Sequence, residues 1–116
     1  MPIKPGEYVN VLAEEVLNQK WRRSKDDPEG VFEILLHKHR DGSYTHLLRV
    51  RKGVVFPEPV KHDYFEEVYY VRGEMLNTKT REKVRAGMYV LHKPHEPHGP
   101  FKCLKECLIL EFRYYK

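Results

Sequence analysis

The sequence predicts an all-β domain, an antiparallel sandwich or barrel. Three observations carry that expectation. Short runs rich in β-branched, aliphatic and aromatic residues recur between turn signals. No segment keeps a 3.6-residue apolar period over three turns. The final run, Cys107 to Tyr114, is apolar on both faces, the mark of a strand covered on two sides.

The elements follow in order. Tyr8 to Leu12 begins as a strand, and Ala13 to Asn18 reads either as a helical turn or as its continuation. Ser24 to Gly30 is a loop by composition. Val31 to Arg40 alternates as a strand, Asp41-Gly42-Ser43 turns, and Tyr44 to Arg51 returns. Val54 to Phe56 is a short strand stopped by Pro57 and Pro59. Glu66 to Val71 is the next strand, with Arg72-Gly73 as its turn. Glu74 to Leu76 and Lys83-Val84 form a hairpin around Asn77-Thr78-Lys79. Ala86-Gly87 turns into Met88 to Leu91, and Lys93 to Pro100 is too rich in Pro and Gly for a helix. Short strands at such spacing make a sandwich or a barrel.

A chain of 116 residues has room for one domain and buries a core without staples. Its net charge of +4 comes from 21 basic and 17 acidic residues, interleaved except for Lys20-Trp21-Arg22-Arg23-Ser24-Lys25. That pattern describes a solvated surface and argues against nucleic acid as a partner. No apolar run reaches membrane-span length, and the start lacks a signal-peptide hydrophobic stretch, so the expected setting is cytoplasmic with no membrane contact. Cys103 and Cys107 are too widely spaced for a CxxC motif. They read as two free thiols, or as partners facing each other across a turn at Leu104-Lys105-Glu106.

The seven histidines are more informative. His62 and Glu66 stand four residues apart on an extended segment, which puts both on one side. His98 follows 32 residues later, behind the Pro-rich loop. Two imidazoles and one carboxylate form a facial triad that leaves coordination positions open for substrate and for oxygen or water. His37, His39 and His46 form a competing cross-strand group, ranked below the first because such histidines more often sit on a solvated face. Tyr64, Tyr69, Tyr70 and Phe101 are core residues or pocket walls, and period two sends Val68 and Tyr70 inward with Glu66. Arg113 to Lys116 reads as an exposed end or a subunit contact.

These residues resemble the cupins, small double-stranded β-helix barrels. Gly53 and Phe56-Pro57-Glu58 lead into His62-xxx-Glu66, and Glu66 to Glu74, with Gly73 after six intervening residues, is similar to the first cupin motif. Gly87 to Leu91, then Pro94 and Pro97-His98-Gly99-Pro100-Phe101, is similar to the second. Trp21, Gly30-Val31, Leu35-Leu36, Gly42, Thr45 and Leu47-Leu48-Arg49 resemble the lead-in of one subgroup. That subgroup includes cupin domains of zinc-dependent anti-sigma factors and acetylacetone-cleaving-type dioxygenases. The likeness spans about residues 21–114 and implies a jelly-roll barrel at 21–116 behind an N-terminal extension at 1–20. It also implies a homodimer paired through sheets.

Carried over residue by residue, the resemblance implies a divalent metal (iron, zinc, nickel or manganese) on His62, Glu66 and His98. The first histidine of the family's leading motif falls on Val60, which binds no metal. The Pro and Gly common in the second motif fall on Lys93 and His95, and His95 is a candidate replacement ligand. Glu67 or Tyr70 is the candidate for moving protons. The implied activity is metal-dependent, dioxygenase-like chemistry on a small polar organic molecule. The alternatives are a sensory or ligand-binding domain without catalysis, and a structural barrel without metal.

Overall fold

The computed structural model describes residues 2–115. Eight strands follow one short helix: α1 Glu14–Leu17, β1 Arg22–Arg23, β2 Val31–Lys38, β3 Tyr44–Val50, β4 Val55–Phe56, β5 Phe65–Asn77, β6 Lys83–Arg85, β7 Tyr89–His92 and β8 Phe101–Tyr114. All pairings are antiparallel, in the order β1-β2-β3-β8-β5-β6, with β7 also on β5 and β4 also on β8. The all-β jelly roll expected from the sequence is what forms.

Two long strands organise it. The first part of β5 pairs with β7 and with the end of β8, while its last residues pair with β6 and with the start of β8. The change of direction falls at Gly73, where the β5–β8 register slips. Gly73 has φ +98°, and a Cβ there would lie 2.4 Å from the Glu106 carbonyl and 2.7 Å from Cys107 Sγ. Only glycine fits. Thus Arg72-Gly73 is not the turn expected from its sequence but a bulged bend inside a continuous 13-residue strand.

The same slip corrects the cysteine alternative. No turn separates Cys103 from Cys107, because β8 runs through both. The bulge brings them onto one buried face as free thiols, Sγ atoms 3.8 Å apart.

Tyr8 to Leu12 is not a strand. The Asn10 side chain accepts the Leu12 N–H at 3.0 Å and the Asn10 carbonyl accepts the Ala13 N–H, an Asx turn that competes with strand pairing. The undecided segment after it resolves as α1, one turn with Val16 buried.

Alternation along the strands builds two cores. Inside the barrel lie Val31, Leu48, Val50, Val68, Tyr70, Met75, Cys103, Cys107 and Ile109. On the outer face, Ile34, Leu36, Leu47 and Leu108 are covered by Val9, Val11, Val16, Leu17 and Trp21. Arg49 latches this cover: its guanidinium lies 5.7 Å from the Trp21 ring centre and donates to the Leu17 carbonyl at 3.1 Å. The N-terminal segment therefore supplies the second cover that the two-sided apolar pattern of β8 demanded.

Candidate metal centre

Glu66 opens the inward face of β5 and is almost fully buried. His62 stands on the loop before β5, and His98 on the loop before β8. The two loops are stitched together by backbone. The Val60 N–H donates to the His98 carbonyl at 2.7 Å and the His98 N–H returns to Val60 at 2.9 Å. The His95 N–H donates to the His62 carbonyl at 2.6 Å. This seam hangs both imidazoles over Glu66. His62 Nε2 lies 3.7 Å from Glu66 Oε2, and His98 Nε2 lies 3.8 Å from Oε1.

The other nitrogen of each ring has a partner. His98 Nδ1 faces the Glu96 carbonyl at 3.3 Å, so it carries the proton and Nε2 keeps its lone pair toward Glu66. His62 Nδ1 meets the Tyr64 hydroxyl at 3.0 Å. Burial depresses the pKa of both rings, that of His98 to about 4, so both are neutral near pH 7. His92, opposite Glu66 on β7, stacks on His98 with ring centres 3.8 Å apart.

Behind Glu66 lies a charged row on the inner faces of β8, β3 and β2. Arg113 Nε is 2.9 Å from Glu66 Oε2, Arg113 Nη2 is 3.0 Å from Glu111 Oε1, and Arg113 Nη1 donates to the Tyr44 hydroxyl at 2.6 Å. Glu111 meets His46 Nε2 at 2.7 Å, and Glu33 lies 3.5 Å from His46 Nδ1. Burial, then the charge of Glu111, raises the Glu66 pKa against the pull of Arg113. Burial also pushes Glu111 up, but Arg113 and His46 outweigh it and hold that carboxyl low.

The donor set fits a divalent cation. Glu66 Oε2 is buried without a well-formed hydrogen bond, and the Arg113 guanidinium, Nε 2.9 Å away, is its ion-pair partner. One atom each of His62, Glu66 and His98 lie within 4.8 Å of one another. A cation held at about 2.0–2.2 Å keeps ligand atoms roughly 3–3.5 Å apart, so the three draw in by less than about 2 Å. The Nδ1 partners of both histidines are the outer hydrogen bonds that orient metal-binding imidazoles.

Other sequence expectations fare differently. His95 is exposed, with φ +65°, and contributes its backbone to the seam rather than its ring to the cluster. Glu67 points to the outer face, where it accepts the Tyr89 hydroxyl at 2.6 Å, because period two opposes it to Glu66. Tyr70 is inward and buried, as alternation demands. The His37, His39 and His46 group is dispersed: a bulge between Leu35 and His37 leaves His37 and His39 together while His46 turns inward. Arg113 is no exposed end. It and Glu111 continue the inward alternation of Cys107 and Ile109, a parity signal readable in the sequence but masked by the apolar residues between.

A cleft of about 510 Å³ opens on the cluster, with Val60, Val68, Tyr70, Met75, Val84 and Phe101 among its walls. Val60 thus stands beside the cluster as an aliphatic wall.

Comparison with known proteins agrees with this architecture. A family model described as "ChrR Cupin-like domain" matches residues 11–114. None of the curated proteins compared matches the sequence. Among solved structures, an acetylacetone dioxygenase from Acinetobacter johnsonii superposes with a TM-score of 0.68 at 18% identity, over 97% of this chain and 76% of that one. The Rhodobacter sphaeroides complex of SigE with the anti-sigma ChrR gives 0.65 at 17%, over 84% of this chain. This chain spans only 50% of the one matched there. The polyketide cyclase RemF from Streptomyces resistomycificus gives 0.63 at 21%, over 84% of this chain and 75% of that one. At these identities the likeness speaks for the fold alone.

Proposed function

Because this chain belongs to the family of ChrR cupin-like domains, we propose that it holds one divalent metal on His62, Glu66 and His98 and acts on a small organic molecule. The observation that carries the reading is the convergence of two neutral imidazoles and a buried carboxylate at one point of a cleft. When bound, a divalent cation supplies Lewis acidity and open positions for a substrate oxygen and for oxygen or water. Iron, zinc, nickel and manganese all suit this donor set.

The chain's own residues do the rest. Glu96 and Tyr64 fix the two imidazoles, and Arg113 holds Glu66 in place. Aliphatic walls exclude bulk water. Dioxygenase-like chemistry is the activity that a two-histidine, one-carboxylate centre with open positions favours. Proton transfer belongs to Tyr70 rather than Glu67, since only Tyr70 lines the cleft.

The family match and the SigE–ChrR likeness favour a second reading, a metal-loaded sensory domain that binds without turnover. Among the described residues no helix is long and apolar enough to cross a membrane. We place the protein in the cytoplasm, with residues 1–20 as an extension of the barrel. A homodimer completes the proposal, formed through the outer face where Tyr69, Tyr89, Leu91 and Phe112 are exposed.

Metal analysis by plasma mass spectrometry decides the central claim. About one metal per chain is expected after incubation with Fe(II), Zn(II) or Mn(II), and His98→Ala loses it. Equal metal content in the two proteins sinks the assignment. Oxygen consumption with candidate substrates then separates an enzyme from a sensor.

A further inference from the structure

Two nucleophilic side chains play no part in the metal centre. Cys103 and Cys107 are 0% and 1% exposed, and their Sγ atoms lie 3.8 Å apart. Four residues of a regular strand would separate their Cα atoms by about 13 Å. The bulge in β8 draws them together: the register with β5 runs from Met75↔Cys103 to Glu74↔Lys105 and then to Arg72↔Leu108, skipping Leu104 and Glu106. One backbone group joins the pair, since the Lys105 carbonyl lies 3.1 Å from Cys103 Sγ and 3.3 Å from Cys107 Sγ. Gly73 makes room for this arrangement, because a Cβ there would stand 2.7 Å from Cys107 Sγ.

Two thiols in contact have a reaction that one thiol lacks. A disulfide holds its sulfurs at about 2.05 Å, so the pair must close by less than about 2 Å. The chain that must yield is Leu104-Lys105-Glu106, and Lys105 and Glu106 are exposed. On the bulge side, only the backbone of the exposed Lys105 stands between the sulfurs and solvent. A bulge already interrupts the ladder that resists local opening. The hydrogen bond between the thiols holds the Cys103 pKa below the ordinary thiol value and pushes that of Cys107 above it. Cys103 therefore ionises first and is the attacking sulfur.

We infer that Cys103 and Cys107 are a modification site, a dithiol that a small organic disulfide converts to an intrachain disulfide while the barrel stays folded. The Cys103 thiolate attacks one sulfur of the reagent, a mixed disulfide forms, and one reagent thiol leaves. Cys107 then loses its proton and attacks the Cys103 sulfur. The protein disulfide forms and the second reagent thiol leaves. Two electrons and two protons pass from the protein to the reagent, and a reducing dithiol reverses the exchange. This inference is independent of the metal centre, so either can fail without the other.

The test treats the full chain with 4,4′-dithiodipyridine in the absence of denaturant. Absorbance is expected to show two pyridinethiones released per chain, faster than global unfolding measured by urea jump. The intact mass is expected to fall by two hydrogens with no adduct retained. Trypsin cuts after Lys102, Lys105 and Arg113, so residues 103–105 and 106–113 should emerge as one disulfide-linked pair. Cys107→Ala, checked for cooperative melting, is expected to release one pyridinethione and keep one adduct. The wild-type fragments alone decide the matter if that variant does not fold. Two retained adducts, disulfides between chains, or release no faster than global unfolding would overturn the inference.

Discussion

Single residues decide the character of the barrel interior. His46 is 1% exposed between two carboxylates, an environment that shifts the imidazole and the carboxyls in opposite directions. Burial opposes its charging, but Glu111 and Glu33 prevail and raise its pKa. His46 in turn holds Glu33 down to about 2. The stabilisation from Glu33 is present above its ordinary 4.5 and is lost as pH falls toward about 2. That from His46 is complete below its ordinary 6.5 and is lost as pH rises through its raised folded value. The melting-temperature gap between wild type and Glu33→Gln is therefore expected to be widest between pH 4.5 and 6.5, narrowing on both sides. A gap independent of pH would show that the pair carries no linkage. At this scale the sequence was partly legible. His62, Glu66 and His98 stand out because motif spacing names them. Arg113, Glu111 and His46 do not, because charged residues read as surface until a partner's place is known.

At the scale of elements, the bends matter more than the strands. Gly73→Ala must put a Cβ 2.4 Å from a backbone carbonyl that cannot turn away, in a left-handed conformation that alanine avoids. Its cost is expected to be at least about 3 kcal/mol in urea denaturation. Gly53 has a similar φ of +91° but open space around it, so Gly53→Ala should cost about 1 kcal/mol, strain without collision. Similar losses for the two would refute the close approach at Gly73. Period-two patterning located most strands, and Asp41-Gly42-Ser43 located its hairpin through Asx chemistry, with the Ser43 N–H donating to Asp41 at 2.8 Å. It failed where a glycine bends a strand instead of ending it. The sequence signal of a turn and of a bulge is the same residue.

For the molecule as a whole, the apolar face of β5, β7 and β8 sets the expected assembly. Tyr69 sits opposite Tyr89, and Glu67 opposite both Leu91 and Phe112, so these side chains share one outer surface. Sedimentation velocity is expected to find a dimer at micromolar concentration, and Phe112→Glu a monomer, since the substitution places a second carboxylate beside Glu67 within the apolar face. A monomeric wild type ends that proposal. The barrel was legible from motif order, because the two motifs place their loops at one mouth. The cover over β8 was not: Val9 and Val11 lie in irregular chain and Val16 in a single helical turn, too short for a period to announce a packing face.

The position of β8 bears on how the protein is made. This strand, the last of the eight in chain order, lies between β3 and β5 and also receives β4. On the ribosome, β3 and β5 must wait with open edges until β8 emerges, and its pairing with β3 joins residues about sixty positions apart. Closure by the last strand of the barrel, and at long range, makes folding slow, with exposed edges in the interval. A nascent chain stalled before Phe101 holds both ends of the sheet and none of its centre, which makes it a natural client for a chaperone.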